Sequence, residues 1–455
     1  MRFAQTPVRA AGAIATAIAA LFALAGCATY APLPLPKSDD LAAAATVHAP
    51  PPLDMNAVAT LAVLNNPDLR AARAKMHVAA AQAFAAGILP DPQVNASADH
   101  PTDRVNSPSD PRHPEYDAYG FGLGLDLRAL LTYPSSRTAA KAAYDQAQED
   151  LLWQEWQTVA AARVLFVAQA IGADRSAFLA PEAQLLARAA AHSQAAFGEG
   201  NVSLEQVSAD QAALAAIQGQ EGAAQRNLLA AEHGMRALLG LKPDVAVPLA
   251  PLTAPPIPDR AAVTAAAARL PRVRPDLRAL QHGYRSQEAQ VRIAVLSQFP
   301  NVVVGFTRAR DFSNVHSIGG AVSLTLPLFD RGRGQIAIQR ATRAQLRAEY
   351  QARLDQASSD IWQLWSDMQE LRGELEGLDR RLPPLQKSVD NARRAYADGN
   401  FPAANYLALV NAYLAAQSSR FDVLQSLWTD SIALAALTGT QIEPTVIDRP
   451  DRKPL

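Results

Sequence analysis

A six-residue phrase that occurs twice constrains the fold of this chain more than any other feature. Residues 66–71 read Asn-Pro-Asp-Leu-Arg-Ala, and residues 274–279 read Arg-Pro-Asp-Leu-Arg-Ala. Each copy is followed by an alanine- and glutamine-rich helical pattern, then by a proline (Pro90 or Pro300), and then by a segment in which apolar and polar residues alternate. An internal repeat at half the chain length indicates two structural units built on one plan.

The repeat and the distribution of prolines divide the 455-residue chain into six predicted parts. They are a lipoprotein signal peptide (1–26), a Pro/Ala-rich tether (27–53), a first repeat (54–244), a Pro-rich linker (245–262), a second repeat (263–440) and a polar tail (441–455). Prolines concentrate in the connecting segments and loops, where they interrupt no regular element.

The N-terminus has the pattern of a targeting signal. Arg2 and Arg9 are followed by an apolar run, 10–24, that is too short to span a membrane. The run ends in Leu-Ala-Gly-Cys, which resembles the bacterial lipoprotein signal and predicts that Cys27 becomes the acylated first residue. The alternative is an ordinary signal peptide whose cysteine is incidental. Cys27 is the only cysteine, so the chain forms no internal disulfide.

Two pairs of alternating segments predict two β-hairpins. They lie at about 93–127, with a long polar loop, and at about 301–326, with a short loop at about 308–316. A period of two over roughly nine or ten residues suits a membrane strand with one face toward lipid and the other toward water. The alternative is a pair of hairpins in a small soluble sheet. No window after the signal has about 18 uninterrupted apolar residues, so a membrane crossing would have to use strands.

Four strands are too few to close a barrel, because the smallest barrels have about eight. Open strand edges are not tolerated in lipid, since their backbone groups would have no hydrogen-bonding partner. If the strands cross a membrane, several copies of the chain must therefore share one barrel.

Each predicted hairpin leads into a long helix, and the helix after Gly334 has a strict three–four spacing of apolar residues. Its members are Leu354, Ala357, Ile361, Leu364, Met368, Leu371, Leu375, Leu378, Leu382 and Leu385. This heptad pattern predicts coiled-coil packing against another helix. A helix over 335–397 would be about 95 Å long at about 1.5 Å per residue. Pro181 and Pro383-Pro384 are expected to kink or interrupt the long helices.

The long helices end at matched turns, 197–202 and 396–401, which contain Gly-Asn pairs that suit a left-handed helix cap. Return helices are predicted at about 203–238 and 403–437.

Taken together, these features make the chain similar to the TolC-like outer-membrane efflux channels, also called outer-membrane factors. The resemblance covers about 55–440. It rests on the duplicated Pro-Asp-Leu-Arg phrase, Pro90 and Pro300 before the hairpins, Leu-Pro-Leu-Phe at 326–329, the two tip turns, and the lipoprotein start of the acylated members.

The resemblance implies a mainly α-helical fold with a small β part and two repeats of long coiled-coil helices, each with a transmembrane hairpin. It implies a homotrimer with one 12-stranded barrel in the outer membrane of a Gram-negative bacterium and a helical tunnel through the periplasm. The partners would be a periplasmic adaptor (membrane-fusion) protein, an inner-membrane pump of the RND type, and outer-membrane lipid. The chain would be a passive duct with no cofactor.

The resemblance also directs attention to the periplasmic tips, where this chain departs from the family. Members often place acidic residues on the return helix after the second tip turn, but here the positions hold Asn405 and Ala408, and the first repeat holds Gln206 and Ala209. We hypothesise that packing and neutral polar groups constrict the mouth. Nearby acids could replace the missing ones, or they are solvated turn charges. The tip and gate candidates are Glu199, Gly200, Asn201, Glu205, Gln206, Asp398, Gly399, Asn400 and Asn405.

Other classes of function have little support in the sequence. A net charge of −1 argues against nucleic-acid binding. No nucleophile elbow, phosphate-binding loop or zinc-protease motif is present, so no catalytic residue is assigned and the chain is not expected to be an enzyme. His100, His113 and His316 could meet at the outer loops, but solvated histidines are the expectation rather than a metal site. The alternative functions are a lipid-anchored periplasmic adaptor or a coiled-coil scaffold.

Overall fold

The computed structural model describes residues 30–42, 52–100, 116–252, 255, 257–398 and 400–439. The chain divides into two compact units, one up to Leu41 and one from Ala42 onward. In the first unit, residues 30–41 contain neither helix nor strand. The signal peptide, Cys27, part of the tether (27–29 and 43–51) and the polar tail lie outside the described residues.

The second unit repeats one order of elements. The first repeat contains α1 (Met55–Asn65), α2 (Pro67–Ala85), β1 (Gln93–Asp99), β2 (Ala118–Asp126), α3 (Leu127–Gly198) and α4 (Leu204–Leu238). The second contains α5 (Arg260–Val273), α6 (Pro275–Leu296), β3 (Asn301–Arg310), β4 (His316–Thr325), α7 (Arg333–Ala397) and α8 (Ala403–Thr438). The identical order confirms the predicted two-repeat plan. Helices α3 and α7 have 72 and 65 residues, and so extend about 108 and about 98 Å.

Short polar residues determine where several helices begin. In each case a side-chain oxygen accepts a hydrogen bond from a backbone N–H three residues ahead, which satisfies one of the free donors of the first turn. These N-cap residues are Asp54, Asn66, Asp126, Ser203 and Asp259. The first copy of the repeated phrase therefore begins its helix with Asn66 as the cap.

The long helices continue through their prolines, so of the two predicted effects of Pro181 and Pro383-Pro384, a kink or an interruption, the interruption does not occur. The reason is tertiary packing. Leu179 and Ala183 on either side of Pro181 are buried in one apolar cluster, which offsets the local cost of about 3 kcal/mol for an interior proline.

The heptad seam of α7 packs as predicted. All ten of its positions are buried or half-buried, and Ala357, Ile361 and Met368 are at most 1% exposed. These three residues form an apolar cluster with residues of α5, α6 and α8. Among the described residues, no helix has both the length and the apolar character that a membrane crossing requires.

The four strands form one antiparallel sheet in the order β1-β2-β3-β4, so the two predicted hairpins pair with each other through β2 and β3. Strand β3 extends to Arg310, which makes the connection to β4 shorter than the predicted 308–316 loop. The added residues find backbone partners, because Arg308 pairs with both Phe121 and Ile318. Strands β1 and β4 each have one edge without a strand partner in the described structure.

The register places unlike side chains on the two faces of the sheet. Residues that face the same side include Leu123 on β2, Phe306 on β3 and Val322 on β4, and all three are exposed. Apart from Val303, the opposite face carries small or polar residues. They include Asn95, Gly122, Gly124, Gly305, Thr307, Ser317 and Ser323. We call these the apolar face and the polar face.

The two repeats connect strand to helix differently. Strand β2 ends at Asp126 and α3 begins at Leu127, with no residue between them. The Asp126 carboxylate caps α3 through the Ala129 N–H at 3.0 Å and accepts a hydrogen bond from Asn301 at 3.1 Å. In the second repeat, the seven residues 326–332 separate β4 from α7.

Candidate functional site at the helix tips

The first tip turn has the geometry expected of a glycine-capped helix. Gly200 has φ +79°, a left-handed conformation that L side chains rarely adopt. Its N–H donates to Phe197 O at 3.0 Å, and the Asn201 N–H donates to Ala196 O at 2.8 Å. These bonds close the end of α3 and allow α4 to begin after Ser203.

The second tip turn repeats the key bond of the first. The Asn400 N–H donates to Ala395 O at 2.8 Å, and the Asp398 N–H donates to Arg394 O at 3.0 Å. Gly399 lies outside the described residues. The return helix α8 follows Pro402 and has no side-chain cap.

Most of the predicted tip candidates lie at the surface. Glu199, Asn201, Glu205, Asp398, Asn400 and Asn405 are exposed, while Gln206 is half-buried. The Asn201 side-chain amide donates to Glu199 Oε2 at 3.0 Å. Within the described structure, Glu199, Glu205 and Asp398 form no ion pair.

The structure adds a buried carboxylate that the sequence analysis missed. Asp210 on α4 is 2% exposed, and its Oδ2 accepts a hydrogen bond from Gln206 Nε2 at 3.0 Å. Asp210 lies on the buried stripe of α4 between Val207 and Ala213. An acid at an apolar stripe position was the sequence signal that could have identified it.

Two tyrosines from the second repeat stack close to this carboxylate. The rings of Tyr396 on α7 and Tyr406 on α8 are 5.1 Å apart and nearly parallel, with an interplanar angle of 12°. Burial raises the pKa of the Tyr396 phenol, and the negative charge of Asp210 raises that pKa further. The phenol therefore stays protonated and neutral at physiological pH.

Arg393 joins these helices to the first repeat. A hydrogen bond to the Tyr406 side chain raises the pKa of the guanidinium, and the nearby carboxylates of Glu182 and Asp390 act in the same direction. Arg393 lies 3.7 Å from Glu182 on α3 and 3.9 Å from Asp390 on its own helix. One side chain thus contacts α3, α7 and α8 just behind the tips.

An apolar cluster supports the polar groups and includes residues of all four helices. It contains Leu179, Ala183, Leu186, Ala213, Ile217, Ala224, Val389, Ala392, Tyr406, Leu407, Val410 and Leu414. The two helical hairpins of one protomer therefore form a single packed end, in which polar groups at the surface overlie an apolar interior.

Within the described ranges, His100 and His316 do not come together at a metal site. His100 Nδ1 lies 2.6 Å from Asp117 Oδ1, and the His316 ring lies 6.4 Å from the Tyr119 ring. His113 lies outside the described residues. Across the ranges that the structure covers, no three or more metal-ligating side chains gather at one place.

Comparisons with known proteins agree with this architecture. The model of the outer membrane efflux protein family matches residues 58–241 and 269–440, one segment in each repeat. No curated protein sequence is similar enough to count as a match.

Solved structures share the fold at low sequence identity. The outer-membrane channel OprN is 20% identical with a TM-score of 0.71, over 85% of this chain and 89% of OprN. The Campylobacter jejuni CmeC outer membrane channel is 17% identical with a TM-score of 0.70, over 85% of each chain. The outer membrane protein VceC from Vibrio cholerae is 17% identical with a TM-score of 0.67, over 84% of this chain and 96% of VceC.

The family model covers well over half of the chain, in the two repeats that the sequence and the fold both show. This is a family of outer-membrane channels and not of enzymes. We conclude that the chain belongs to the outer membrane efflux protein family.

Proposed function

We propose that this chain is the outer-membrane duct of a tripartite efflux or export system, and that it works as a homotrimer. The observation that carries the proposal is a four-stranded sheet, with an apolar face and two open edges, joined to helices of 72 and 65 residues. The sheet would supply part of a membrane barrel, and the helices would continue it as a tunnel through the periplasm.

The two open edges support assembly from several copies. Strands β1 and β4 leave unpaired backbone groups, which lipid cannot satisfy. Pairing β4 of one copy with β1 of the next closes every edge. Three copies would give twelve strands, in keeping with the family resemblance.

The substrate would move through this duct without chemistry by the chain itself. In this proposal an inner-membrane pump supplies the energy, and a periplasmic adaptor links the pump to the tip turns around Gly200 and Asn400. The exposed tip residues, including Glu199, Asn201 and Asp398, are available for that contact. Acylated Cys27 would anchor the mature N-terminus to the outer membrane of a Gram-negative bacterium.

We place the periplasmic gate at the packed end of the four long helices. The return-helix positions Gln206 and Asn405 are neutral, and the acids Glu205 and Asp398 are exposed turn charges in the protomer. The mouth would therefore be constricted mainly by packing and neutral polar groups. The tip and gate residues in this proposal are Glu199, Gly200, Asn201, Glu205, Gln206, Asp398, Gly399, Asn400 and Asn405.

A Cys27→Ser variant that keeps a cleavable signal tests the proposal. We expect it to require detergent for extraction, to run at trimer mass, and to form single channels in planar bilayers, because the strands would hold it in the membrane without the lipid. A soluble, non-conducting protein would contradict the duct and would favour a lipid-anchored periplasmic scaffold or adaptor.

A further inference from the structure

The apolar face of the sheet carries two arginines at one end. On β3, Val302, Val304 and Phe306 alternate with residues of the polar face, and Arg308 and Arg310 continue the same alternation. Arg308 pairs with Phe121 and Ile318, so it lies on the apolar face. A charged side chain there has to be explained, because charge on the lipid face of a membrane sheet is costly near the bilayer centre.

The position of the arginines along the strand keeps their charges away from the bilayer centre, where the cost would be high. Arg308 is six residues from Val302, about 20 Å along the strand, and both arginines lie at the loop end of the sheet rather than at the helix end. If the helices extend into the periplasm, as in the proposed function on which this inference rests, the loop end meets the outer leaflet. A long side chain there can reach the headgroup region while its stem stays in an apolar environment.

Two aromatic side chains lie beside Arg310. The Arg310 guanidinium lies 4.8 Å from the ring centre of Tyr116 and 5.6 Å from that of Tyr119. Tyrosines at this level of a membrane protein favour the boundary between hydrocarbon and headgroups. They also hold the guanidinium in place, which lowers the entropy lost when it binds an anion.

Both arginines have free hydrogen-bonding capacity in the described part of the chain. Arg308 is exposed, and its side chain has no ion pair or hydrogen bond there. Arg310 Nε is shielded from solvent and has no hydrogen-bond acceptor among the described residues. The nearby carboxylates are engaged elsewhere. Asp311 accepts backbone bonds within its own loop at 2.8 and 2.9 Å, and Asp117 lies beside His100.

We propose that Arg308 and Arg310 bind the phosphate of a phosphorylated lipid headgroup in the outer leaflet. A guanidinium presents paired N–H donors that match phosphate oxygens, and its positive charge complements the anion. The apolar part of the same lipid would lie on Ile318, Val322 and Leu324, which are 70%, 67% and 56% exposed. Each protomer would hold one such lipid against β3 and β4.

The test is a lipid titration of the purified trimer in a neutral detergent, followed by native mass spectrometry. The probe is a diphosphorylated glucosamine-disaccharide lipid, and the comparison lipid is the same molecule after removal of both phosphates. We expect the Arg308→Gln/Arg310→Gln variant to bind the phosphorylated probe at least tenfold more weakly than the wild type and to bind the dephosphorylated lipid equally well. Arg308→Lys, which keeps a positive charge, should retain part of the affinity.

Two controls make the result specific. Arg226→Gln removes an exposed arginine from helix α4, far from the sheet, and should bind the probe like the wild type. Inorganic phosphate at millimolar concentration should not displace the probe, because the proposed site needs the lipid chains as well.

Three results would overturn the proposal. The first is equal binding of the probe by the wild type and the double variant. The second is a double variant whose affinity for the dephosphorylated lipid falls as much as its affinity for the probe. The third is full displacement of the probe by inorganic phosphate.

Conductance of the same samples in planar bilayers is measured in parallel. A variant that conducts but has lost the probe supports the lipid site, whereas a wild type that does not conduct contradicts the duct instead.

Discussion

Arg274 and Asp276 form a buried bidentate ion pair at the start of α6, with Nε to Oδ1 at 2.7 Å and Nη2 to Oδ2 at 2.8 Å. The equivalent positions in the first repeat hold Asn66, which caps α2, and Asp68, which is exposed. The same phrase thus exposes its aspartate in the first repeat and buries it in the second, although both helix starts pack against the protein through their leucine. Trp153 on α3 adds a ring 5.0 Å from the Arg274 guanidinium.

This difference gives a matched pair of variants. Asp276→Asn should destabilise the protein by about 3–5 kcal/mol, because it leaves the Arg274 charge buried without its carboxylate. Asp68→Asn should change stability by less than about 1 kcal/mol, since only an exposed charge that is favourable near a helix start is lost. Denaturant unfolding in detergent measures both. Equal losses of unfolding free energy at the two positions would show that the buried ion pair contributes no more to stability than the exposed Asp68 charge.

A second pair of variants uses two glycines with opposite surroundings. Gly240 has φ +62°, and a Cβ there would lie 2.9 Å from Asn65 O, so Gly240→Ala should destabilise the protein by at least about 1–2 kcal/mol. Gly219 lies inside α4, and a Cβ there would have open space. Gly219→Ala should therefore stabilise by about 0.5–1 kcal/mol. Thermal unfolding measures whether each variant gains or loses stability. A Gly240→Ala variant that is more stable than the wild type would contradict the prediction.

Glu149 gives a prediction for pH dependence. It is 9% exposed, and burial raises its pKa above the ordinary value of 4.5, against the opposing charge of Arg278 at 2.6 Å. A raised folded-state pKa means that the protonated form stabilises the fold. This contribution is complete below the unfolded-state pKa and is lost as pH rises through the folded-state pKa. The wild type should therefore lose melting temperature relative to Glu149→Gln as pH rises from 4.5 toward neutrality. A relative gain over that range would reverse the sign and refute the burial argument.

The two stacked tyrosines at the tips allow the stability contributions of their hydroxyl groups to be compared. Tyr406→Phe removes the partner of Arg393 and should cost about 1 kcal/mol, a value reduced by the partial exposure of the arginine. Tyr396→Phe keeps the stacked ring and removes a hydroxyl with no hydrogen bond in the described structure, so it should cost less. Limited proteolysis at the tip turns would report the loosening. Greater sensitivity in Tyr396→Phe would contradict the assignment.

Single-channel recordings test the neutral gate. Glu205→Gln and Asp398→Asn should leave cation preference within about twofold of the wild type, because salt limits the electric field of an exposed charge to a short distance. A large loss of cation preference in either variant would show that acids of the tip turns replace the missing ring.

Local patterns in the sequence predicted most of the fold. The period-two segments, the heptad seam from Leu354 to Leu385 and the Gly200 turn each depend on a spacing or a backbone conformation that one stretch of chain determines. The continuous helix through Pro181 depends on apolar contacts from other helices, and so it could not be read from the proline alone. The extension of β3 to Arg310 likewise depends on its pairing with β2.

The candidate site was predicted less completely, for the same physical reason. Exposed turn residues such as Glu199 and Asp398 were identified from their place in the turns. Asp210 gains its neighbour Tyr396, and Arg393 gains its contacts with Glu182 and Tyr406, only when α3, α4, α7 and α8 pack together. The burial of Arg274 and the exposure of Asp68 also arise from packing, since the two copies of the phrase are nearly identical.

The direct junction between β2 and α3 has a mechanical consequence. With no residue between Asp126 and Leu127, a rotation of α3 about its long axis is transmitted to the sheet, and the bonds from the Asp126 carboxylate to Ala129 and Asn301 resist it. In the second repeat the seven residues 326–332 separate β4 from α7, so no single residue both ends the strand and caps the helix. The two long helices are therefore coupled to the sheet in different ways, α3 through one shared residue and α7 through a segment of its own.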